Sequence, residues 1–314
     1  MLKTPELLFI SCLGSYYYSI VQEKQENGVN PLLNYLVGTE LKFLGEDIDE
    51  IQNIKGDNPW RYQPVEILRG EEKVEIDAKF MDYVTSEFNI ITEVHKVCDG
   101  RFINDVIRDF QQGFCCICKV DEYHIKHSKA FYKKNSNRHY LLIRDIDYEK
   151  ECFVVIDSET DIIYAVTFKE MEEAVLKNTF RNKLYYRINC DNYTWNRRVP
   201  VDENLIKVDY LYVSQMIECL KNTPEKNLVY LVKGYRYNII SKIIPYITAQ
   251  EYYFIEAKKS DISTILHSII DMWKKVNILI SYEIKKNTFD FELIGKRLGQ
   301  IEDYYKKNSK ELQV

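Results

Sequence analysis

The sequence predicts an α+β protein in which a strand-rich part is followed by a helical part. Short β-branched and aromatic runs cluster between residues 113 and 188, separated by charged turns, and do not alternate regularly with helices. Beyond Pro200 the apolar residues instead follow the three-to-four-residue spacing of buried helical faces. We therefore expect two domains, residues 1–199 and residues 200–314.

The predicted elements of the first domain begin with a helix from about Cys12 to Gln25, which ends before Gly28 because glycine commonly terminates helices. Weaker helical segments are predicted at residues 77–89 and 104–112. Apolar, β-favouring runs predict strands at residues 113–120, 139–143, 152–156, 162–168 and 184–188.

The second domain is predicted to be a small helical bundle. Residues 261–285 carry Leu266, Ile269 and Trp273 on one buried stripe, and a final helix is predicted at residues 289–305. The first domain is the candidate catalytic domain, and the bundle is a C-terminal helical extension.

Composition narrows the classes of function and location. A net charge of -5 argues against a general nucleic-acid binder, which needs a basic surface to neutralise phosphates. The N-terminus does not read as a signal peptide, and no apolar run approaches the roughly 20 residues that cross a bilayer. Eight cysteines in so long a chain are typical of reduced thiols. We expect a cytoplasmic protein with no membrane and no nucleic-acid partner.

Cys12 is the candidate nucleophile, because it stands at the junction between an apolar segment and a predicted helix. A helix N-terminus favours the thiolate through its unpaired N–H groups and partial positive charge. Taken alone, a cysteine at such a place is more often a small buried hydrophobe. The catalytic interpretation therefore needs partners.

One predicted hairpin supplies both partners. His139 opens its first strand and Asp157 closes its second, each equally far from Tyr148, so antiparallel pairing would set them opposite each other, with Cβ atoms roughly 4.5–5.5 Å apart. The aspartate would orient the imidazole and leave its other nitrogen facing a thiol. The predicted catalytic residues are Cys12, His139 and Asp157. The alternative is that the last two residues merely border a hairpin.

This order of cysteine, histidine and aspartate resembles the papain-like family, especially its bacteriocin-leader peptidase and C39-like branches, over roughly residues 1–195. Residues 120–124, with the loop that leads into residues 139–143, look like the N-terminal domain of the butirosin biosynthesis H family. The resemblance implies a papain-like (C39-like) fold and acyl transfer from a carrier-protein thioester to an amine in natural-product biosynthesis. Amide-forming enzymes of polythioamide assembly, of the closthioamide kind, are a further resemblance in the same class.

Glu6 departs from the family pattern, because papain-like peptidases carry a glutamine six residues before the cysteine to complete the oxyanion hole. An ionised glutamate there would oppose an oxyanion. Either Glu6 points elsewhere, or burial keeps it protonated, or the Cys12 backbone N–H and another donor form the hole. Thioesters are more reactive than amides, so this departure favours a transferase over a protease.

A basic loop, residues 124–138, directly precedes His139. We expect an acyl or peptidyl carrier protein, which delivers the acyl chain on its phosphopantetheine arm, to dock on this loop, since complementary charge steers association. A solvated surface loop is an equally reasonable interpretation. The expected carrier-binding residues are Lys126, Lys129, Lys133, Lys134 and Arg138.

No resident cofactor or metal is expected. The cysteines at 115, 116 and 118, with the histidines at 124 and 127, lack a regular Cys-x-x-Cys spacing, and strand alternation would separate Cys115 from Cys116 and Cys118. Three classes of function remain: an amide-forming acyltransferase, a cysteine peptidase or amidohydrolase with the same triad, and a non-catalytic carrier-binding module in which Cys12 is only packed.

Overall fold

The computed structural model is α+β, as the sequence predicted, and combines two antiparallel sheets with helices. It describes residues 11–24, 31–36, 38–44, 64–69, 71–74, 78–98, 100–158, 162–178, 182–195, 208 and 210–312. Among these residues, no helix combines the length and the apolar character that crossing a membrane requires.

The secondary structure of the described residues follows the order of the chain. The strands are β1 (Glu40–Phe43), β2 (Val65–Arg69), β3 (Glu72–Lys73), β4 (Ile91–Lys96), β5 (Cys115–Asp121), β6 (Arg138–Asp147), β7 (Cys152–Asp157), β8 (Ile162–Thr167) and β9 (Leu184–Asn189). The α-helices are α1 (Cys12–Lys24), α2 (Ala78–Phe88), α3 (Phe102–Gln111), α4 (Phe168–Leu176), α5 (Leu211–Asn222), α6 (Glu225–Asn238), α7 (Ile244–Glu256), α8 (Ser260–Lys286), α9 (Phe291–Lys307) and α10 (Ser309–Leu312). A π-helical segment, Ile239–Ile243, joins α6 to α7.

The chain divides into two compact units. The first lies within Met1–Asn27 and Ile76–Val199, and the second within Gly28–Glu75 and Pro200–Val314. The sequence prediction placed residues 28–75 in the first domain, whereas the structure groups them with the C-terminal helices.

Long-range polar contacts explain this grouping of the small sheet, β1-β2-β3. Val65 N donates to Asn238 Oδ1 at 2.6 Å, and Lys242 Nζ donates to Glu66 Oε2 at 2.5 Å. Glu66 is buried, so its pairing with Lys242 avoids an uncompensated charge. These contacts join residues 173 and 176 positions apart, a separation that local sequence patterns do not report.

The helices of the second unit include the two that the sequence predicted individually. The buried stripe of α8 contains Ile262, Leu266, Ile269, Ile270, Trp273, Val276 and Ile280. The buried stripe of α9 contains Ile294, Leu298, Ile301 and Tyr305. Both stripes have the spacing of one helical face, so the predicted helical character of this part is confirmed.

The larger sheet belongs to the first unit and has the strand order β4-β9-β5-β6-β7-β8, with every neighbouring pair antiparallel. All five predicted strands are present in it, and β4 joins them as one edge. Helices α3 and α4 pack against its hydrophobic core, to which β5 contributes Cys116, Cys118 and Val120. Their separation of two residues puts these three side chains on one face of the sheet.

Candidate functional site

Cys12 is the first residue of α1. Ser11 caps this helix, because Ser11 Oγ accepts a hydrogen bond from Gly14 N at 3.1 Å and Ser11 O accepts one from Ser15 N at 2.9 Å. The first N–H groups of a helix lack intrahelical partners and carry partial positive charge, which favours a thiolate at this position. Cys12 is half-buried, so part of the residue is open to solvent.

Helix α1 is buried on nearly every side. Every residue from Leu13 to Val21 is buried, as in a helix that lies inside its domain. Its two buried serine hydroxyls bond to backbone carbonyls one turn earlier: Ser15 Oγ donates to Ser11 O at 2.9 Å, and Ser19 Oγ donates to Ser15 O at 3.1 Å. The packing of α1 therefore fixes where Cys12 stands.

The structure brings Cys12, His139 and Asp157 together. Cys12 Sγ lies 3.6 Å from His139 Nδ1, and His139 Nε2 lies 3.0 Å from Asp157 Oδ1. His139 is 1% exposed and Asp157 is 5% exposed, so solvent competes little for their contact. Each ring nitrogen has its own partner: Nε2–H donates to the carboxylate, and Nδ1 exchanges a proton with the thiol. The arrangement can activate a thiol for nucleophilic attack.

His139 and Asp157 are not directly opposed, which corrects the register that the sequence predicted. The outermost pair of β6 and β7 is Leu142 with Ile156, so Leu141 stands opposite Asp157 when the register continues by one residue. His139 lies two residues before Leu141, on the same face. The two side chains are therefore diagonal neighbours, and long side chains can span that separation.

A β-bulge in β6 places both side chains on one face. The register shifts by one residue between Ile143 and Asp145. Without this shift Leu142 would stand opposite Asp157, and His139, an odd number of residues away, would point to the other face. No glycine or proline marks the bulge in the sequence.

The electrostatic surroundings of His139 favour its charged form. Burial lowers the pKa of the imidazolium, but the hydrogen bonds to Asp157 and Cys12, together with the charges of both groups, outweigh it and raise the pKa well above its ordinary value. A protonated His139 beside Cys12 in turn favours the thiolate. The site therefore supports a thiolate–imidazolium pair.

Asp157 has a second diagonal neighbour, Tyr164 of β8. The register pairs Asp157 with Ile162, so Tyr164, two residues further, lies on the face that Asp157 occupies. Burial, the charges of Asp157, Glu122 and Glu170, and a hydrogen bond to Asp157 raise the pKa of Tyr164. The phenol therefore stays protonated and donates to Asp157. The sequence analysis missed Tyr164, because this proximity follows only from the register.

Tyr16, one helical turn after Cys12, is a second residue that the sequence analysis missed. Its hydroxyl lies 2.8 Å from Tyr140 O and 2.9 Å from Ile156 O, and it accepts a hydrogen bond from Ser158 N at 3.2 Å. Its spacing of four residues from Cys12 was the available signal, since such residues share a helix face.

The basic loop presents its charges to solvent, and the five expected carrier-binding side chains, Lys126, Lys129, Lys133, Lys134 and Arg138, are all exposed. Buried carboxylates accept hydrogen bonds from serines near both ends of the loop: Ser136 Oγ donates to Asp121 Oδ2 at 2.6 Å, and Ser128 Oγ donates to Glu122 Oε1 at 2.5 Å.

The loop also contacts the surroundings of the candidate triad. The His127 ring stacks on Tyr164, with centroids 4.4 Å apart, and Tyr164 is the diagonal neighbour of Asp157. Arg138, which ends the loop, directly precedes His139 in β6. The loop is therefore attached to the site at two points.

Of the three cysteines of β5, Cys116 and Cys118 are buried in the sheet and Cys115 is half-buried. Among the residues that the structure describes, no three His, Cys, Asp or Glu side chains are grouped so as to hold a metal ion. Burial raises the pKa of Cys118 well above its ordinary value, and burial with the charges of Asp109 and Cys115 raises that of Cys116 to about 12. Protonated thiols are poor nucleophiles. None of the eight cysteines forms a disulfide, and among them Cys12 begins a helix.

Glu6, at the position of the family's glutamine, lies outside the described residues. No family model matches the chain, and no curated protein matches it either. The chemistry of the site is therefore the main guide to function.

Proposed function

We propose that this chain is a cysteine-dependent acyltransferase of papain-like (C39-like) fold, which takes an acyl chain from a carrier-protein thioester and transfers it to an amine. The proposal rests on one observation, the contact of 3.6 Å between Cys12 Sγ and His139 Nδ1, backed by Asp157. A thiol, an imidazole and a carboxylate in this order are the groups that nucleophilic acyl transfer needs.

The first half-reaction loads the enzyme. The Cys12 thiolate attacks the carbonyl carbon of the thioester, and a C–S bond forms. The tetrahedral intermediate collapses as the bond to the carrier thiol breaks, and that thiol leaves with the proton held at His139 Nδ1. Asp157 keeps the ring oriented and stabilises the imidazolium before the proton leaves.

The second half-reaction forms the amide. The amine nitrogen attacks the acyl group on Cys12, and His139 Nδ1 accepts the proton that the amine loses. The bond between the acyl carbon and Cys12 Sγ then breaks, and Cys12 leaves as a thiolate. The thiolate–imidazolium pair is thereby restored for the next cycle.

The oxyanion of each half-reaction needs hydrogen-bond donors. The N–H groups that begin α1, next to Cys12, are the donors that the helix supplies. Glu6 replaces the glutamine of the peptidases, which favours a thioester substrate over the less reactive amide. The resemblance to the butirosin biosynthesis H family points to the same class of substrate.

The proposed partner is an acidic acyl or peptidyl carrier protein. The basic loop adjoins the site and is exposed, in a chain whose net charge is -5. Carrier proteins present acidic helices and a phosphopantetheine phosphate, so charge complementarity favours docking at this loop.

An assay with two kinds of acceptor tests the proposal. The protein is incubated with acyl thioesters of N-acetylcysteamine and a panel of primary amines, and in parallel with unstructured peptides, and the products are identified by mass spectrometry. We expect amide products whose formation depends on Cys12. Peptide cleavage without amide formation would indicate a peptidase or amidohydrolase, and no turnover with either would indicate a non-catalytic carrier-binding module.

A further inference from the structure

Tyr16 occupies a gap in the ladder between β6 and β7. The last paired residues are Leu142 and Ile156, and beyond them the two strands no longer pair. The Tyr16 hydroxyl lies in this gap. It donates a hydrogen bond to Tyr140 O or Ile156 O and accepts a hydrogen bond from Ser158 N. A side-chain hydroxyl thus satisfies backbone groups that the ladder leaves unpaired.

This gap lies directly beside the candidate triad. Tyr140 follows His139 in the chain, and Asp157 stands between Ile156 and Ser158. The Tyr16 hydroxyl therefore bonds to the backbone of the residue that follows His139 and to the backbone of the residues on both sides of Asp157. Tyr16 is 0% exposed, so water does not compete for these bonds.

Tyr16 and Cys12 also share one face of α1, because residues four positions apart are neighbours on a helix. One turn of α1 thus carries the Cys12 thiol at its start and, at its end, the Tyr16 hydroxyl that bonds to the hairpin. A slide of α1 along β6 and β7 would therefore break these hydrogen bonds together with the contact between Cys12 Sγ and His139 Nδ1.

We propose that Tyr16 is a positioning residue, whose hydroxyl locks α1 to the β6–β7 hairpin and thereby sets the contact between Cys12 and His139. The inference deepens the proposed function and rests on it, since the contact matters only if Cys12 is the nucleophile. It assigns Tyr16 no contact with the reacting atoms.

The chain contains a matched control in the next residue. Tyr17 is on the same helix, is also 0% exposed, and bonds through its hydroxyl to Thr92 Oγ1 at 2.6 Å. Tyr17→Phe therefore removes an equally buried hydroxyl from α1, together with its short hydrogen bond. The partner of that bond lies in β4 and does not belong to the triad.

The test measures alkylation of Cys12 by iodoacetamide as a function of pH, with the exposed Cys98 as an internal reference and peptide mass spectrometry to separate the sites. Tyr16→Phe should lower the ratio of the Cys12 rate to the Cys98 rate at pH 6 by about tenfold to a hundredfold, as misplacement of a reacting group does. It should also move the midpoint of the Cys12 profile to higher pH. Tyr17→Phe should leave both readouts at wild-type values while lowering the melting temperature comparably.

Equal Cys12 profiles in Tyr16→Phe and Tyr17→Phe would overturn the inference. If Tyr16→Phe does not fold, 4-fluorophenylalanine at position 16 replaces it, since its para fluorine fills the place of the hydroxyl but cannot donate a hydrogen bond. An unchanged Cys12 profile in that protein would overturn the inference equally.

The outcomes distinguish this inference from the proposed function. A Cys12 profile that depends on Tyr16, in a protein that forms no amide, supports the positioning role and contradicts the acyltransferase. Amide formation with a Cys12 profile that does not depend on Tyr16 supports the acyltransferase and contradicts the positioning role. A wild-type Cys12 no more reactive than Cys98 at pH 6 would contradict both.

Discussion

His139 Nε2 lies 3.0 Å from Asp157 Oδ1, although the two residues are diagonal neighbours across β6 and β7 rather than directly opposed. A β-bulge between Ile143 and Asp145 supplies the one-residue shift that brings them to the same face. The bulge in β6 thus lies in the hairpin that carries the proposed catalytic pair. Asp157 has one diagonal neighbour on each adjacent strand, His139 on β6 and Tyr164 on β8.

Asp157→Asn should lower turnover strongly while leaving the fold intact. The amide can no longer hold His139 in the orientation that serves Cys12, and the corresponding change in a serine-protease triad costs about 10⁴-fold in kcat. Steady-state kinetics with a thioester substrate, with circular dichroism as a check on folding, measures the loss. Glu149→Gln, at an exposed position in the turn of the same hairpin, makes the same change of carboxylate to amide, is the matched control and should keep wild-type rates. Near-normal kinetics in Asp157→Asn would point to another orienting group.

The stability of the protein should depend on pH through His139. Burial opposes the charged ring, but the hydrogen bonds to Asp157 and Cys12 raise its pKa well above the ordinary value of 6.5. The folded state then binds this proton more tightly than the unfolded chain, so the stabilisation is fully present below about pH 6.5 and is lost as pH rises through the raised pKa.

We therefore expect the melting temperature of the wild-type protein to fall more steeply above pH 6.5 than that of His139→Gln. Thermal melts of both proteins across the same buffers measure the difference, which cancels the titration of groups that do not interact with His139. Parallel curves would show that His139 binds its proton equally well in the folded and unfolded states.

Lys133→Glu with Lys134→Glu should weaken the use of a carrier-bound substrate and spare an N-acetylcysteamine thioester, which lacks the carrier surface. Exposed charges are screened over roughly 10 Å at 0.1 M salt, so carrier-dependent kcat/KM of the wild-type protein should also fall as salt rises. Lys24→Glu with Lys96→Glu makes the same charge change at exposed positions outside the loop and is the matched control. Equal losses with both substrates would assign the two lysines to chemistry or folding.

Local pattern in the sequence was enough to predict the parts of the candidate site. Cys12 begins a helix that its apolar neighbours in the chain predict, and His139 and Asp157 flank a charged turn between two β-favouring runs. Such features depend on residues close in the chain, which is why their elements were predicted correctly.

The relationships that the sequence did not reveal are long-range ones. The bulge in β6 arises from how the paired strands pack, so its register shift was missed, and with it the place of Tyr164 beside Asp157. The grouping of residues 28–75 with the C-terminal helices in the second unit depends on contacts such as that of Val65 with Asn238, 173 positions apart. Secondary-structure periodicity carries no information about either.

The central claim is that Cys12 carries the acyl group, and the intact mass of the protein after mixing with an acyl carrier tests it most directly. The wild-type protein should gain the mass of one acyl group, Cys98→Ala should gain the same mass, and Cys12→Ala should gain none. Acyl mass on Cys12→Ala, or turnover at the wild-type rate in that variant, would contradict the claim.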